Sequence, residues 1–187
     1  MGQLISDSAR AALATNGWCV IPDVISRETA AEGLKRLWSV VEANARDGYS
    51  CHLPDIDPNA NMVRIMSPLW SDGWFRDLIQ NDTGLAAAAA VIGDDFTISN
   101  CSANIALPGS GSMALHADLA SILPEPWLHP WSVNIIWCLT DVCPDNGATL
   151  FIPRSQKVTR VADLGDAPAQ RLRPFEAKAG SIVAMDG

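Results

Sequence analysis

Residues 113–157 read MALHADLASILPEPWLHPWSVNIIWCLTDVCPDNGATLFIPRSQK, and this stretch decides the fold class. Short apolar runs alternate here with segments rich in Pro, Asn, Asp and Gly, which is typical of short strands joined by turns. We predict strands at residues 112–117, 132–140 and 148–152. Asp145-Asn146-Gly147 separates the last two, and Asn-Gly is a strong signal for a tight turn. The stretch therefore predicts a β-structure built from short strands.

The same alternation of short apolar runs and turn residues is found on both sides of this stretch, and we predict further strands at 95–107, 171–177 and 181–186. Before residue 95 the signals are mainly helical. We predict helices at 6–16, 26–46, 72–80 and 84–92, a strand-like run at 18–21 and a surface loop at 50–61. The chain is expected to form one domain over residues 1–187. Its class is α+β, mainly β, with an N-terminal helical layer packed on a β-sandwich or barrel.

The composition argues against several classes of protein. Hydrophobic residues make up 48% of the 187 residues and charged residues 18%, as in a globular domain. The formal net charge of −8 argues against a nucleic-acid partner and against attraction to anionic membranes. No apolar run reaches the roughly 18 residues of a membrane span, and no signal peptide is visible. The five cysteines form no C-x-x-C pair, so we expect free thiols and a cytoplasmic protein.

One of the three histidines, His116, has a carboxylate two residues away, in His116-Ala117-Asp118. Residues i and i+2 of a strand point to the same face, so a strand would place this imidazole and carboxylate side by side. Nitrogen and oxygen ligands with open positions suit Fe(II) held by two histidines and one carboxylate. The simpler interpretation is a surface histidine near a turn aspartate. The pair alone favours that interpretation, because H-x-D arises easily by chance.

The order of motifs around the pair is more specific. After the H-x-D pair come N-x-x-x-x-L-T-D at 134–141, the Asn146-Gly147 turn, a degenerate P-G-S-H-K-like corner at 153–157 and a K-A-G-D-like strand at 178–187. The sequence NGWCVIP at 16–22 matches an opening G-Y/W-V-V-I-P pattern. This order resembles the phytanoyl-CoA dioxygenase family of Fe(II)- and 2-oxoglutarate-dependent oxygenases, and the resemblance covers nearly the whole chain.

The resemblance implies a double-stranded β-helix, or jelly roll, with His116 and Asp118 as iron ligands. It implies Fe(II) and 2-oxoglutarate as cofactors, and hydroxylation of an unactivated C–H of a small organic substrate with O₂. In related halogenases the carboxylate position is a small residue, so Asp118 favours hydroxylation over chlorination. The family's second histidine is expected just after Gly187, and an arginine for 2-oxoglutarate about ten residues later. We therefore expect the chain to be C-terminally incomplete, without the last strands of the jelly roll.

Other polar and aromatic residues are candidates for the site. For contacts to 2-oxoglutarate we predict Asn104, Asn134, Trp137 and Thr149; for contacts to substrate, Arg64, Trp127 and His129. Each has a simpler interpretation. A strand asparagine can satisfy only backbone or water, Trp137 is equally suited to a core, and Arg64 suits a surface. His129 and His52 are weak candidates for the third ligand.

Two other classes of protein remain as alternatives. The first is a non-catalytic jelly-roll binding protein, or an inactive fragment that lacks the complete metal triad. The second is a cupin-type isomerase or hydrolase, which is disfavoured because such sites use more histidines. The substrate cannot be read from the fold. Open sheet edges would invite pairing with another chain, so the oligomeric state stays open.

Overall fold

Five α-helices and seven strands form the regular structure of residues 4–121 and 123–187, which are the residues that this computed structural model describes. The helices are α1 (Asp7–Asn16), α2 (Arg27–Arg46), α3 (Pro68–Ser71), α4 (Gly73–Ile79) and α5 (Asp82–Ile92). The strands are β1 (Trp18–Ile21), β2 (Met62–Met66), β3 (Ser102–Ala106), β4 (Val133–Trp137), β5 (Leu150–Phe151), β6 (Arg173–Pro174) and β7 (Ile182–Asp186).

The predicted N-terminal helices are confirmed, and their caps explain where they begin and end. Ser6 Oγ accepts a hydrogen bond from the Ala9 amide at 3.1 Å, and Gly17 ends α1 in the left-handed conformation with φ 80°. Ser26 Oγ accepts from the Thr29 amide at 3.1 Å and starts α2. These side chains satisfy backbone donors that the first turn of a helix leaves unpaired. None of the helices in the described ranges is long and apolar enough to cross a bilayer.

A three-stranded antiparallel sheet in the order β1-β7-β4 forms the centre of the molecule. Side chains alternate between its two faces. One face packs on α1 and α5 through Ile182 and Ala184, which are fully buried. The opposite face carries Val183, also fully buried, in a second cluster with Cys138 and Phe175. The N-terminal helical layer thus covers one side of the sheet only.

A second antiparallel pair, β2-β3, packs on α2. Ile65 is fully buried in that core, while Arg64, its neighbour in β2, points to the opposite face and pairs in register with Asn104 of β3. The predicted strand 95–107 is therefore shorter than expected, since only Ser102–Ala106 joins a ladder. Its partner is formed by residues 62–66, for which no strand was predicted.

Two other strand predictions need correction. Residues 112–117 form no strand, because this segment joins no backbone ladder and Met113 contacts β2 through the Arg64 side chain. The strand predicted at 171–177 is reduced to Arg173–Pro174 with one isolated bridge between Val142 and Ala177. The architecture is confirmed as helices packed on antiparallel sheets. The described residues form three separate sheets and no closed barrel.

The start of α2 is joined to the start of β7 by a tight corner at Gly180. The Gly180 carbonyl accepts hydrogen bonds from the amides of Val24 and Ile25 at 2.9 and 3.0 Å. Gly180 has φ 91°, and a Cβ there would overlap the Ile25 carbonyl oxygen. Only glycine allows both this conformation and this approach. The glycine of the K-A-G-D-like motif is therefore required by the packing of the chain.

Candidate metal centre

His116 lies in a segment without regular secondary structure, and Asp118 begins a short 3-10 helix, Asp118–Ser121. His116 Nδ1 is 2.9 Å from the Ala114 carbonyl oxygen. Because a carbonyl can only accept, Nδ1 must carry the proton of this hydrogen bond. His116 Nε2 is 3.2 Å from Asp118 Oδ1. The free imidazole nitrogen and one carboxylate oxygen therefore point towards each other.

The other oxygen of Asp118 is held by β4. Asn134 Nδ2 donates to Asp118 Oδ2 at 2.5 Å, across 16 residues of sequence. The side chains of His116 and Asp118 remain 56% and 43% exposed. Hydrogen bonds at His116 Nδ1 and Asp118 Oδ2 thus orient the two side chains, and His116 Nε2 and Asp118 Oδ1 are left as candidate metal ligands. Protein partners orient metal-binding histidines and carboxylates in this way.

The reason we gave for the proximity of the pair was wrong, although the two side chains do meet. We expected a strand to place residues 116 and 118 on one face. Instead the chain turns into the 3-10 helix at Asp118. A contact between residues two apart can arise in either geometry, so the H-x-D spacing alone does not indicate which one forms.

No third ligand joins the pair among the described residues. Over residues 4–121 and 123–187, no group of three or more His, Cys, Asp or Glu side chains could hold a metal ion. His52 lies elsewhere, with Nδ1 3.8 Å from Asp57 Oδ2. His129 is exposed in the loop before β4. Neither histidine therefore completes the site in this conformation.

Trp137 is a correction to the predicted site. Asn134 and Trp137 are three residues apart on β4, so their side chains leave opposite faces of the strand. Asn134 reaches Asp118, whereas Trp137 packs on the helical core, where a Cβ on Gly84 of α5 would lie 3.2 Å from Trp137 Cζ2. The prediction that Trp137 walls the cofactor pocket is wrong. The strand parity that excludes it was already present in the sequence.

Arg64 has a partner that sequence reasoning missed. Its Nε and Nη2 lie 2.9 and 2.6 Å from Asp57 Oδ1, and the Arg64 and Asp57 side chains are 10% and 0% exposed. Burial alone would raise the pKa of Asp57, but hydrogen bonds from Arg64 and the Leu53 amide hold it below its usual value. The guanidinium charge is therefore already paired, which disfavours Arg64 as a contact for an anionic substrate. The acidic, proline-rich 50–61 loop was the only signal for this partner.

The other predicted contacts are distributed over several parts of the chain. Asn104 is exposed on the open face of β2-β3, and Thr149 is exposed immediately before β5. Trp127 is half-buried, and its indole Nε1 donates to the Leu123 carbonyl oxygen at 2.9 Å. These residues, with His129, stay predictions. Leu115, Leu128 and Trp131, in the same part of the chain, leave large apolar side chains exposed.

The cysteine prediction is confirmed, since all five thiols are free. Cys19 and Cys138 are buried, and burial raises the pKa of each to about 11. A thiol that stays protonated is a poor nucleophile and a poor metal ligand. Cys19 and Cys138 are therefore poor candidates for nucleophilic or metal-binding chemistry.

Comparison with known proteins identifies the family. The family model described as phytanoyl-CoA dioxygenase (PhyH) matches residues 13–187. The chain belongs to the phytanoyl-CoA dioxygenase family. A curated relative, dioxygenase af480 of Aspergillus fumigatus, is 45% identical over 181 residues, which are 97% of this chain and 59% of the relative. The chain thus spans about three fifths of the length of that relative.

Solved structures share the fold. EctD from S. alaskensis with bound Fe has a TM-score of 0.74 and 17% identity, over 98% of this chain and 68% of EctD. HygX from Streptomyces hygroscopicus, with nickel, 2-oxoglutarate and hygromycin B bound, has a TM-score of 0.69 and 14% identity, over 98% and 78%. The epimerase SnoN, in complex with Fe³⁺, alpha ketoglutarate and nogalamycin RO, has a TM-score of 0.69 and 16% identity, over 96% and 73%.

In this member of the phytanoyl-CoA dioxygenase family, the N-x-x-x-x-L-T-D motif makes a structural contact at each of its ends. Its first residue, Asn134, holds Asp118. Its last, Asp141, accepts hydrogen bonds from Arg27 Nη1 and the Ala179 amide, each at 2.9 Å. The Ala179 amide and Arg27 hold the pKa of Asp141 well below its usual range. The motif therefore contacts the segment that carries His116 and Asp118 at one end and the Gly180 corner at the other.

Proposed function

We propose that this chain forms the iron-binding region of an Fe(II)- and 2-oxoglutarate-dependent dioxygenase that hydroxylates a C–H bond of a small organic substrate. One observation carries the proposal. His116 Nε2 and Asp118 Oδ1 face each other at 3.2 Å, and each side chain is oriented by a hydrogen bond through its other polar atom. A nitrogen and an oxygen ligand that are accessible and already oriented fit a non-haem iron site.

The roles of the residues follow from these contacts. His116 and Asp118 would hold the iron, and we propose a histidine just after Gly187 as the third ligand. The Ala114 carbonyl keeps the imidazole in the tautomer that leaves Nε2 free for the metal. Asn134 keeps Asp118 turned towards His116. Bound iron with 2-oxoglutarate and O₂ would supply the oxidant for an unactivated carbon, while the protein would orient the ligands and the substrate.

The completed jelly roll and the cofactor contacts are part of the same proposal. Asn104 on β3 and Thr149 before β5 remain our candidates for 2-oxoglutarate. One N–H of the Asn134 side-chain amide donates to Asp118, so the second N–H and the side-chain oxygen are left for a cofactor. Asp118 as an iron ligand would leave no place for a halide, which favours hydroxylation over chlorination.

The substrate is proposed to be a small organic molecule with apolar surface. Leu115, Leu128 and Trp131 expose apolar side chains in the part of the chain that carries the pair, and Trp127 and His129 lie in the same loop. Ligand sites are lined mainly by apolar and aromatic groups with a few polar ones. The bound hygromycin B of HygX and nogalamycin RO of SnoN are small organic ligands of those proteins.

A non-catalytic binding protein on the same fold is the second candidate. It is favoured by the observation that only two ligand side chains converge within the described residues. Two protein ligands give a weak iron site. The full-length gene product separates the two candidates, because an enzyme binds Fe(II) in a 1:1 ratio and consumes 2-oxoglutarate, whereas a binding protein does neither.

Anaerobic titration of the full-length gene product with Fe(II) and 2-oxoglutarate tests the proposed enzyme. A competent site gives a weak visible charge-transfer band. We expect Asp118→Asn to abolish the band and Asp163→Asn, at an exposed aspartate of the 3-10 helix Val161–Leu164, to retain it. The absence of a band in the unmodified protein would contradict the proposal. Mass analysis for a product heavier by one oxygen atom then distinguishes hydroxylation from another outcome.

A further inference from the structure

The segment that carries His116 needs support from outside itself. Residues 107–117 lie between β3 and the 3-10 helix and have no regular secondary structure. Within the segment, the Ser110 amide donates to the Leu107 carbonyl oxygen at 2.9 Å. Gly109 and Gly111 add backbone freedom. A metal ligand on such a segment is positioned only if another part of the molecule holds it.

The 57–64 region supplies that support through a series of contacts. The Leu107 amide donates to the Asn61 carbonyl oxygen at 2.9 Å. Asn59 Nδ2 donates to the Gly109 carbonyl oxygen at 3.0 Å. Arg64 Nη2 lies 3.1 Å from Met113 Sδ. These contacts follow the segment from its start to within three residues of His116.

Asp57 and Arg64 anchor the supporting region. Asp57 Oδ1 accepts from both Nε and Nη2 of Arg64, and Asp57 Oδ2 accepts from the Leu53 amide at 3.0 Å. A fully buried carboxylate requires such pairing, so the loop has one favoured geometry around it. Arg64 is in turn fixed by the β2-β3 ladder, opposite Asn104. The Asp57–Arg64 ion pair thus connects strand β2 to the irregular segment that carries His116.

We propose that Asp57 and Arg64 are positioning residues for the metal centre. Arg64 contacts Met113, and the 57–64 region contacts residues 107–109, so that together they hold the segment that presents His116. The proposal rests on the proposed function, because it concerns the same metal pair. It goes beyond that function in giving Arg64 a role other than contact with substrate. Partners outside the ligand set change metal affinity by about 10–100-fold when they are removed. A purely structural ion pair would instead change stability alone.

Two conservative variants test the proposal without breaking the fold. Arg64→Lys keeps the charge that Asp57 needs but loses the planar fork that reaches both Asp57 and Met113. Met113→Leu conserves volume but removes the sulfur atom. Asp57→Asn would leave the Arg64 guanidinium buried without a counter-charge and so risks unfolding. The matched control is Asp72→Asn, because Asp72 is also paired with an arginine, Arg36, at 2.8 Å.

The readout is the affinity of the full-length gene product for Co(II), followed by its visible absorption, which requires no turnover. We expect Arg64→Lys to weaken Co(II) binding by about tenfold or more and Met113→Leu to weaken it less. Asp72→Asn should leave the affinity unchanged. Thermal melting gives the stability of each variant, and hydrogen exchange of residues 107–117 should increase in Arg64→Lys but not in the control.

Each outcome decides the question. Weaker binding in Arg64→Lys at a melting temperature equal to that of Asp72→Asn supports the positioning role. Unchanged Co(II) affinity in Arg64→Lys, or an equal loss in Asp72→Asn, overturns it while the proposed function stands. Failure of the unmodified protein to bind Co(II) overturns the proposed function and this role with it. This outcome is distinct from failure of the positioning role alone, because it is seen in the unmodified protein.

Discussion

The β1-β7-β4 sheet and the segment that carries the histidine–aspartate pair differ in burial and in secondary structure. Ile182, Val183 and Ala184 of β7 are fully buried between two hydrophobic clusters. His116 and Asp118 are 56% and 43% exposed, on a segment without a strand. The sheet is held by burial of apolar area, whereas the pair is held by a few hydrogen bonds. The scaffold and the site therefore respond to different kinds of mutation.

The largest expected effect is on the site alone. His116→Ala removes the nitrogen ligand, so we expect no measurable Fe(II) or Co(II) binding in the full-length gene product. Because the side chain is exposed, the free energy of unfolding should change by less than about 0.5 kcal/mol. Calorimetric titration and urea unfolding measure the two quantities. A large loss of stability would break the contrast between scaffold and site.

A substitution in the core of the sheet is expected to lower stability and leave metal binding unchanged. Ile182→Ala leaves a cavity between the sheet and the helical layer, and we expect the free energy of unfolding to fall by about 2–5 kcal/mol. Metal affinity of the molecules that remain folded should stay the same, since Ile182 faces the helices and Asn134 the other side. Titration below the melting transition checks this. Loss of metal binding in the folded fraction would show that sheet and site are coupled.

Asn134 is where the two regions meet, because it belongs to β4 and donates to Asp118 Oδ2 at 2.5 Å. Asn134→Ala should lower metal affinity by about 10–100-fold, because Asp118 loses the partner that orients it. The free energy of unfolding should change little, since the side chain is exposed. Asn104→Ala, on the other sheet, is a useful comparison, because it should affect 2-oxoglutarate affinity and leave metal affinity intact.

The smallest effect concerns Asp186, a charged residue at the end of the otherwise apolar strand β7. Burial raises its pKa to about 6. A carboxyl group whose pKa is raised on folding favours the folded state below its unfolded pKa, and this advantage is lost as the pH rises through about 6. Asp186→Asn should therefore stabilise the protein by about 1–2 kcal/mol at pH 7.5 and have little effect at pH 4. Equal effects at both pH values would contradict this assignment.

Much of the fold was predictable because its signals are local. Ser6 and Gly17 mark the ends of α1, and Ser26 marks the start of α2, through contacts within a few residues. The strands at 18–21, 132–140 and 181–186 were found for the same reason, although their ends shifted. The segment 112–117 failed, because a run of alternating residues becomes a strand only if a partner strand lies beside it.

The candidate site could be chosen from the sequence, but its arrangement could not. The H-x-D spacing and the order of motifs pointed to His116 and Asp118. Asn134 was predicted as a contact of 2-oxoglutarate, and the structure shows that it donates to Asp118. Trp137 was placed on the wrong side, although the odd spacing from Asn134 on one strand already excluded it. Asp57 was missed, because the composition of the 50–61 loop predicts an acidic surface loop and does not indicate which of its residues pairs with Arg64.

The sequence by itself determined where the helices begin and end, which residues could hold a metal, and the family to which the chain belongs. All of these depend on residue type and short spacing. Tertiary structure decided that Asn134 orients Asp118, and that Arg64 is neutralised by Asp57 and reaches Met113. The contact between Arg64 and Met113 joins residues that are 49 positions apart. Such contacts depend on how sheets and loops pack, and no local propensity encodes that.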